Sequence, residues 1–155
     1  MKNRRTQPMI IVSACLIGRP CRYDGRRAPN LDLMTRLAGR RWVAVCPEQL
    51  GGLPTPRVPA RLEGGNGRDV LAGRARVIND EGRDVTAAFI RGAEVVLDLA
   101  VRLGAEVCCL KNRSPSCGLC PSLGPEEPFQ GPGVCAALLA DAGLKIEEVK
   151  APSSD

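Results

Sequence analysis

The chain contains no histidine. That absence removes Ser-His-Asp triads, Cys-His dyads, HExxH sites and every zinc site built with imidazole. Aromatic residues make up only 3% of the chain, namely Tyr23, Trp42, Phe89 and Phe129, so a base-stacking platform for single-stranded nucleic acid is not expected. Long apolar runs are missing too, and nothing approaches the ~18 residues of a membrane span. Lys2, Arg4 and Arg5 precede an apolar run, and Val12-Ser13-Ala14-Cys15 has the form of a lipoprotein cleavage box. The uninterrupted apolar stretch before that box is only Met9 to Val12, whereas a signal sequence needs roughly 7–15 residues. The expectation is a cytoplasmic protein without a membrane partner, whose chemistry falls to thiolates, carboxylates, hydroxyls and cations.

What is present fits an ordinary globular chain. The 155 residues are 44% hydrophobic and 25% charged, neither a disordered nor a membrane composition. One domain over residues 9–150 is expected, between a flexible segment at 1–8 and a flexible tail at 151–155. Eight cysteines fall below the roughly 8–10% that marks a disulfide scaffold. In a reducing compartment they read as metal ligands or catalysts. Residues 1–41 hold ten Lys or Arg against Asp24 and Asp32, a balance of +8. Such a segment can meet nucleic acid or an anionic substrate, though a solvated arginine-rich face is the plainer reading.

Met9–Ser13 and Glu106–Leu110 read as buried strands, Trp42–Val45 as a second apolar strand, and Arg74–Asn79 and Leu144–Val149 as further strands. Cys15–Pro29 and Pro47–Gly67 are dense in Gly, Pro or Arg and read as long loops. Asn30 is placed as the cap of a short helix carrying Leu31, Met34, Leu37 and Ala38 on one face. Thr86 is placed as the cap of the clearest helix, which runs to Leu103 with Phe89, Ala93, Val96, Leu97, Ala100 and Leu103 on one face and is ended by Gly104. Pro132–Ala142 reads as a further helix. Strands alternating with helices imply an α/β sandwich with a small, mostly parallel sheet flanked by helices. In such sheets, sites form beyond the carboxyl ends of the strands.

That rule sorts the cysteines. Cys15 follows the first strand, Cys46 ends the second, and Cys117 lies in the loop after the Glu106–Leu110 strand, each beside Gly or Pro. Cys108 and Cys109 sit inside an apolar strand and Cys135 begins a helix, where a thiol serves as a small hydrophobe. Cys21 is either a spare thiol or a fourth ligand. Cys117-Gly118-Leu119-Cys120 forms a C-x-x-C, which can mark a redox dithiol. Three thiolates without histidine suit an iron–sulfur cluster better than zinc, which would want a fourth cysteine in a closed site.

Four ordered motifs carry a resemblance. Ile11 to Gly18 with Cys21-Arg22-Tyr23-Asp24-Gly25, Cys46-Pro47-Glu48 with Gly51-Gly52-Leu53-Pro54-Thr55-Pro56-Arg57, Ser114-Pro115-Ser116-Cys117-Gly118, and Gly131-Pro132-Gly133-Val134 resemble the thiouracil desulfidase family. The match runs from about Met9 to Leu144. The resemblance implies a Rossmann-like domain in which Cys15, Cys46 and Cys117 hold a 4Fe–4S cluster with one iron not ligated by protein. It implies that this open iron takes the sulfur of a small thiolated base, that Glu48 activates water and that Ser114 assists. The products are the oxo base and hydrosulfide, without net redox change. Glu48 can alternatively serve as a loop salt bridge, and serines beside proline commonly make turns.

Three positions depart from the family pattern. Arg61 stands where an acidic residue is usual, Cys120-Pro121-Ser122-Leu123-Gly124 replaces a Tyr-Asp-Gly stretch, and Cys135 replaces a Thr. Two rival readings therefore stay open. One is a structural or sensory metal module closed by Cys21 or Cys120. The other is a thiol–disulfide oxidoreductase using Cys117 and Cys120. No nucleic-acid partner is expected, and the chain is expected to be a monomer or homodimer.

Overall fold

The computed structural model describes residues 7–19, 29–112, 114–118 and 131–150. The flexible ends expected at 1–8 and 151–155 lie outside these, apart from Gln7 and Pro8. Four strands form one parallel sheet in the order β2-β1-β5-β6: β1 Met9–Ser13, β2 Trp42–Val45, β5 Ala105–Lys111 and β6 Lys145–Val149. Period-2 alternation sends successive side chains to opposite faces. Ile11, Cys108 and Leu110 join one core cluster, while Ile10, Val12 and Cys109 join another. Helices α4 Thr86–Leu103 and α5 Val134–Asp141 pack on the first cluster. Helix α1 Leu31–Leu37 and the 3-10 turn Ala14–Ile17 pack on the second. The expected α/β class and parallel sheet are therefore observed.

Elements built by local pattern are where they were expected. Phe89, Ala93, Val96 and Ala100 of α4 are all fully buried, and Gly104 closes the helix in the left-handed conformation, φ 67°. Cys108, Cys109 and Cys135 are buried as small hydrophobes. Desolvation, reinforced by the charge of Cys109, pushes the Cys108 thiol up to about 12 from its ordinary 9.0. The folded chain then keeps a proton that the unfolded chain releases, so stability falls as pH rises from about 9 toward 12. Urea unfolding of the iron-free chain across that range should show the decline, and Cys108→Ala should make it shallower. An unaltered slope in the variant would remove Cys108 as a cause.

Three local expectations are corrected. The stretch 47–67 contains two elements, α2 Pro47–Leu50 and β3 Ala60–Glu63, and α3 Gly67–Leu71 begins at its end. Strand β3 pairs antiparallel with β4 Arg76–Asn79 in a separate two-stranded sheet, which explains why Arg74 precedes the strand. Asn30 caps α1 as expected, accepting from Leu33 N at 2.9 Å, and its amide also donates to Lys150 O at 2.9 Å. Anchored so, α1 buries Leu33 and Leu37 and leaves Leu31 and Met34 exposed. Thr86 does not cap α4: its hydroxyl accepts from Val77 N at 2.8 Å, and Asp84 takes the Thr86 amide at 2.9 Å. Hydrogen bonds from the Thr86 hydroxyl and from the Thr86 amide hold the Asp84 carboxyl below its ordinary range.

Helix α2 owes its place to a close approach. A Cβ on Gly51 would strike the Ala88 carbonyl oxygen, and one on Gly92 would strike that of Pro47. Arg91 Nε also donates to Gly51 O at 3.2 Å. In an open helix Gly→Ala stabilises by about 1 kcal/mol. Here the collision with backbone reverses the sign, because α4 and α2 must separate. Gly92→Ala is expected to lower the melting temperature and the iron retained after reconstitution together. A variant as stable as wild type would show that the helices can part without cost.

Candidate active site

Strand order reverses between β1 and β5, because the chain runs from β1 outward to β2 and from β5 outward to β6. Ligands of open α/β sheets bind beyond the carboxyl ends at such a switch point. The ends are level here: Ser13 pairs with Val45 in register, and Lys111 N donates across to Ser13 Oγ at 3.0 Å. Cys15, Cys46 and Cys117 follow these three strands.

Each cysteine is fixed by a different local device. Cys15 sits in the 3-10 turn, which ends at Gly18 with φ 85° and a bond from Gly18 N to Cys15 O at 3.3 Å. Cys46 is the N-cap residue of α2, and Pro47 begins that helix, a position proline suits because its missing N–H is not needed there. Cys117 lies in the 114–118 turn. Ser114 Oγ accepts from Ser116 N at 3.2 Å and Cys117 N at 3.0 Å, and Gly118 N returns to Ser114 O at 2.9 Å. The turn is clamped to the start of α5 by bonds from Val134 N to Pro115 O and Ala136 N to Ser116 O, at 2.9 and 3.0 Å. Gly133 permits this contact, since a Cβ there would meet Pro115 O at 2.6 Å.

The electrostatics join the pieces. Burial pushes the Cys117 thiol up to about 12, a hydrogen bond with Ser13 opposes the rise, and the charges of Cys15, Cys46 and Glu48 add to it. Three thiols and a carboxylate thus bear on one spot. Arg57 supplies positive charge: its Nε lies 3.2 Å from Glu48 Oε1 and its Nη2 4.0 Å from Cys46 Sγ. Ser116 Oγ is fully buried and has no hydrogen-bond partner among the described residues, an uncommon state for a native hydroxyl. A hollow of about 340 Å³ borders Cys46, with Arg19, Gln49, Leu50 and Leu99 among its walls.

The donor set fits an iron–sulfur cluster. Its sulfurs are soft, its thiols need cationic charge to ionise, and a cluster's sulfides are acceptors for an orphan hydroxyl. Among the described residues no three Cys, Asp or Glu close around a single ion position. Ligands to separate irons of one cluster stand further apart than ligands to one ion. Cys21 and Cys120, on which the closed-metal and dithiol readings rest, lie outside the described residues.

Sequence reasoning had given no role to Arg57 or Ser13, although both lie within the quoted motifs. A polar Ser13 closing an otherwise apolar strand was the available signal. Nothing in the sequence announces that an arginine in a proline-rich loop is buried.

A parallel α/β sandwich with three thiols gathered past its strand ends, at the switch point, defines an α/β protein of the cluster-binding kind. Residues 10–150 match the 2-thiouracil desulfurase family, and the chain belongs to that family. It is 40% identical over 141 residues to the uncharacterized protein YbbK of Bacillus subtilis (strain 168), covering 89% of this chain and 93% of that one. Among solved structures it is similar to the 4Fe-4S-dependent thiouracil desulfidase TudS, with 40% identity, a TM-score of 0.75, and coverage of 92% of this chain and 91% of that chain.

Proposed function

We propose that this chain is a 4Fe–4S-dependent desulfidase that converts a thiolated pyrimidine base and water to the oxo base and hydrosulfide, with no net redox change. The observation that carries the reading is the gathering of Cys15, Cys46 and Cys117 at the ends of β1, β2 and β5, with the Glu48 charge acting on the same spot. When bound through those three thiolates, the cluster supplies an iron without a protein ligand that acts as a Lewis acid toward the departing sulfur.

The remaining work belongs to side chains. Glu48 sits on the first turn of α2 and takes a proton from the water that attacks the thiocarbonyl carbon. Ser114 holds the Cys117 turn through its acceptor lone pairs, and its hydroxyl assists the attack in this reading. No helix among the described residues is long and apolar enough to cross a membrane. The reading places the protein in the cytoplasm, as one domain over 9–150 and as a monomer or homodimer.

Free bases rather than thiolated tRNA are the proposed substrates. A neutral ring binds with weak salt dependence, whereas affinity for a polyanion falls steeply as salt rises. A parallel anaerobic assay of thiouracil and thiouridine-containing tRNA over a salt series separates the two. Turnover of the free base, little altered by salt, is the expected result. Efficient, salt-sensitive desulfuration of the tRNA alone would make the basic segment 1–41 a substrate-binding face.

A further inference from the structure

The Arg57 side chain is only 6% exposed, although it stands in a loop. Burying a guanidinium is costly unless its charge and its donors are matched. Here the matches divide into two sets. Nη1 donates to Pro54 O at 3.2 Å and to Thr55 Oγ1 at 3.0 Å, anchoring the fork to its own loop. Nε and Nη2 point at Glu48 Oε1 and Cys46 Sγ, at 3.2 and 4.0 Å. One rigid plane therefore spans a cluster-ligand sulfur and the carboxylate assigned to water.

We propose that Arg57 is a positioning residue of this site, fixing the Glu48 carboxylate and holding a positive charge at the Cys46 sulfur. The proposal rests on the function given above. With Oε1 engaged by Nε, Glu48 keeps Oε2 for the attacking water, and its freedom to swing away is reduced. A reacting group misplaced by about 1 Å can cost roughly 10²-fold in rate. The cation beside Cys46 favours the more negative, reduced state of a bound cluster, because charge near the sulfurs tunes the potential. Lysine is a poor replacement: a point charge on a flexible stem cannot serve Thr55, Glu48 and Cys46 at once.

The test compares wild type, Arg57→Gln and Arg57→Lys after anaerobic reconstitution, reading iron content, midpoint potential, and kcat and KM on thiouracil. All three are expected to hold equal iron. Gln should move the potential to more negative values, and Lys should recover most of that shift. Both should lower kcat, about 10²-fold for Gln, with little change in KM. A wild-type potential together with wild-type kcat in Arg57→Gln overturns the proposal. Iron loss in Arg57→Lys as well as Arg57→Gln also overturns it, since Arg57 would then only hold the loop together. A wild-type chain that binds its cluster yet leaves thiouracil intact defeats the proposed function instead, while the potential shift still upholds the charge at Cys46.

Discussion

Cys46→Ala, purified under argon and supplied with iron and sulfide, is expected to retain little iron, and Cys15→Ala and Cys117→Ala to behave alike. Cys108→Ala, Cys109→Ala and Cys135→Ala should load as fully as wild type. The division follows placement. The first three stand beyond the ends of β1, β2 and β5, whereas Cys108 and Cys109 are inside β5 and Cys135 is in the first turn of α5, all buried. A cluster left with two protein thiolates loses the closure that holds it, so the effect should be near total. Cys135 makes the sharpest control: it is fully buried in the same core cluster as Cys117, yet it lies inside a helix, where a thiol serves as a small hydrophobe. Full iron in Cys46→Ala, or an empty Cys135→Ala, would redraw the ligand set.

Glu48→Gln should keep its cluster and lose turnover by about 10²–10⁴-fold, the usual contribution of a positioned general base. Glutamine matches glutamate in size, and its carbonyl oxygen can still accept from Arg57 Nε, so the bond across the loop survives. What it cannot do is take a proton from water. The alternative, that Glu48 only salt-bridges Arg57, predicts normal turnover once that bond is kept. Rates on thiouracil and iron content, measured on the same preparation, decide between them. Iron loss in Glu48→Gln would assign the residue to holding the loop.

The parts of this molecule that were legible in its sequence are those set by local pattern. Met9–Ser13 is recognisable because a central parallel strand covered on both faces is apolar, and Trp42–Val45 because its short run is apolar and β-branched. The long helix is recognisable because one apolar face at helical spacing outweighs any error about its cap. Thr86 was misplaced as that cap because a threonine hydroxyl has two uses, and the Val77 amide on the neighbouring strand claims it. Helix α2 and strand β3 escaped notice in a stretch crowded with Pro and Gly. Four residues each, they are held by partners distant in sequence: Gly92 for the one and β4 for the other. The same distinction runs through the site. The three cysteines stood out by their position after strands and their Gly and Pro neighbours. Arg57 and Ser13 take their roles from tertiary contacts that no spacing encodes.

The most direct measurement is turnover of thiouracil in heavy-oxygen water by the iron-loaded chain, under argon and without added reductant. Hydrosulfide and uracil should appear in equal amounts, with the heavy oxygen in the uracil, and the iron-free chain should be inactive. Turnover by the iron-free chain, a requirement for reductant, or uracil carrying no label would contradict a cluster-dependent, non-redox attack by water.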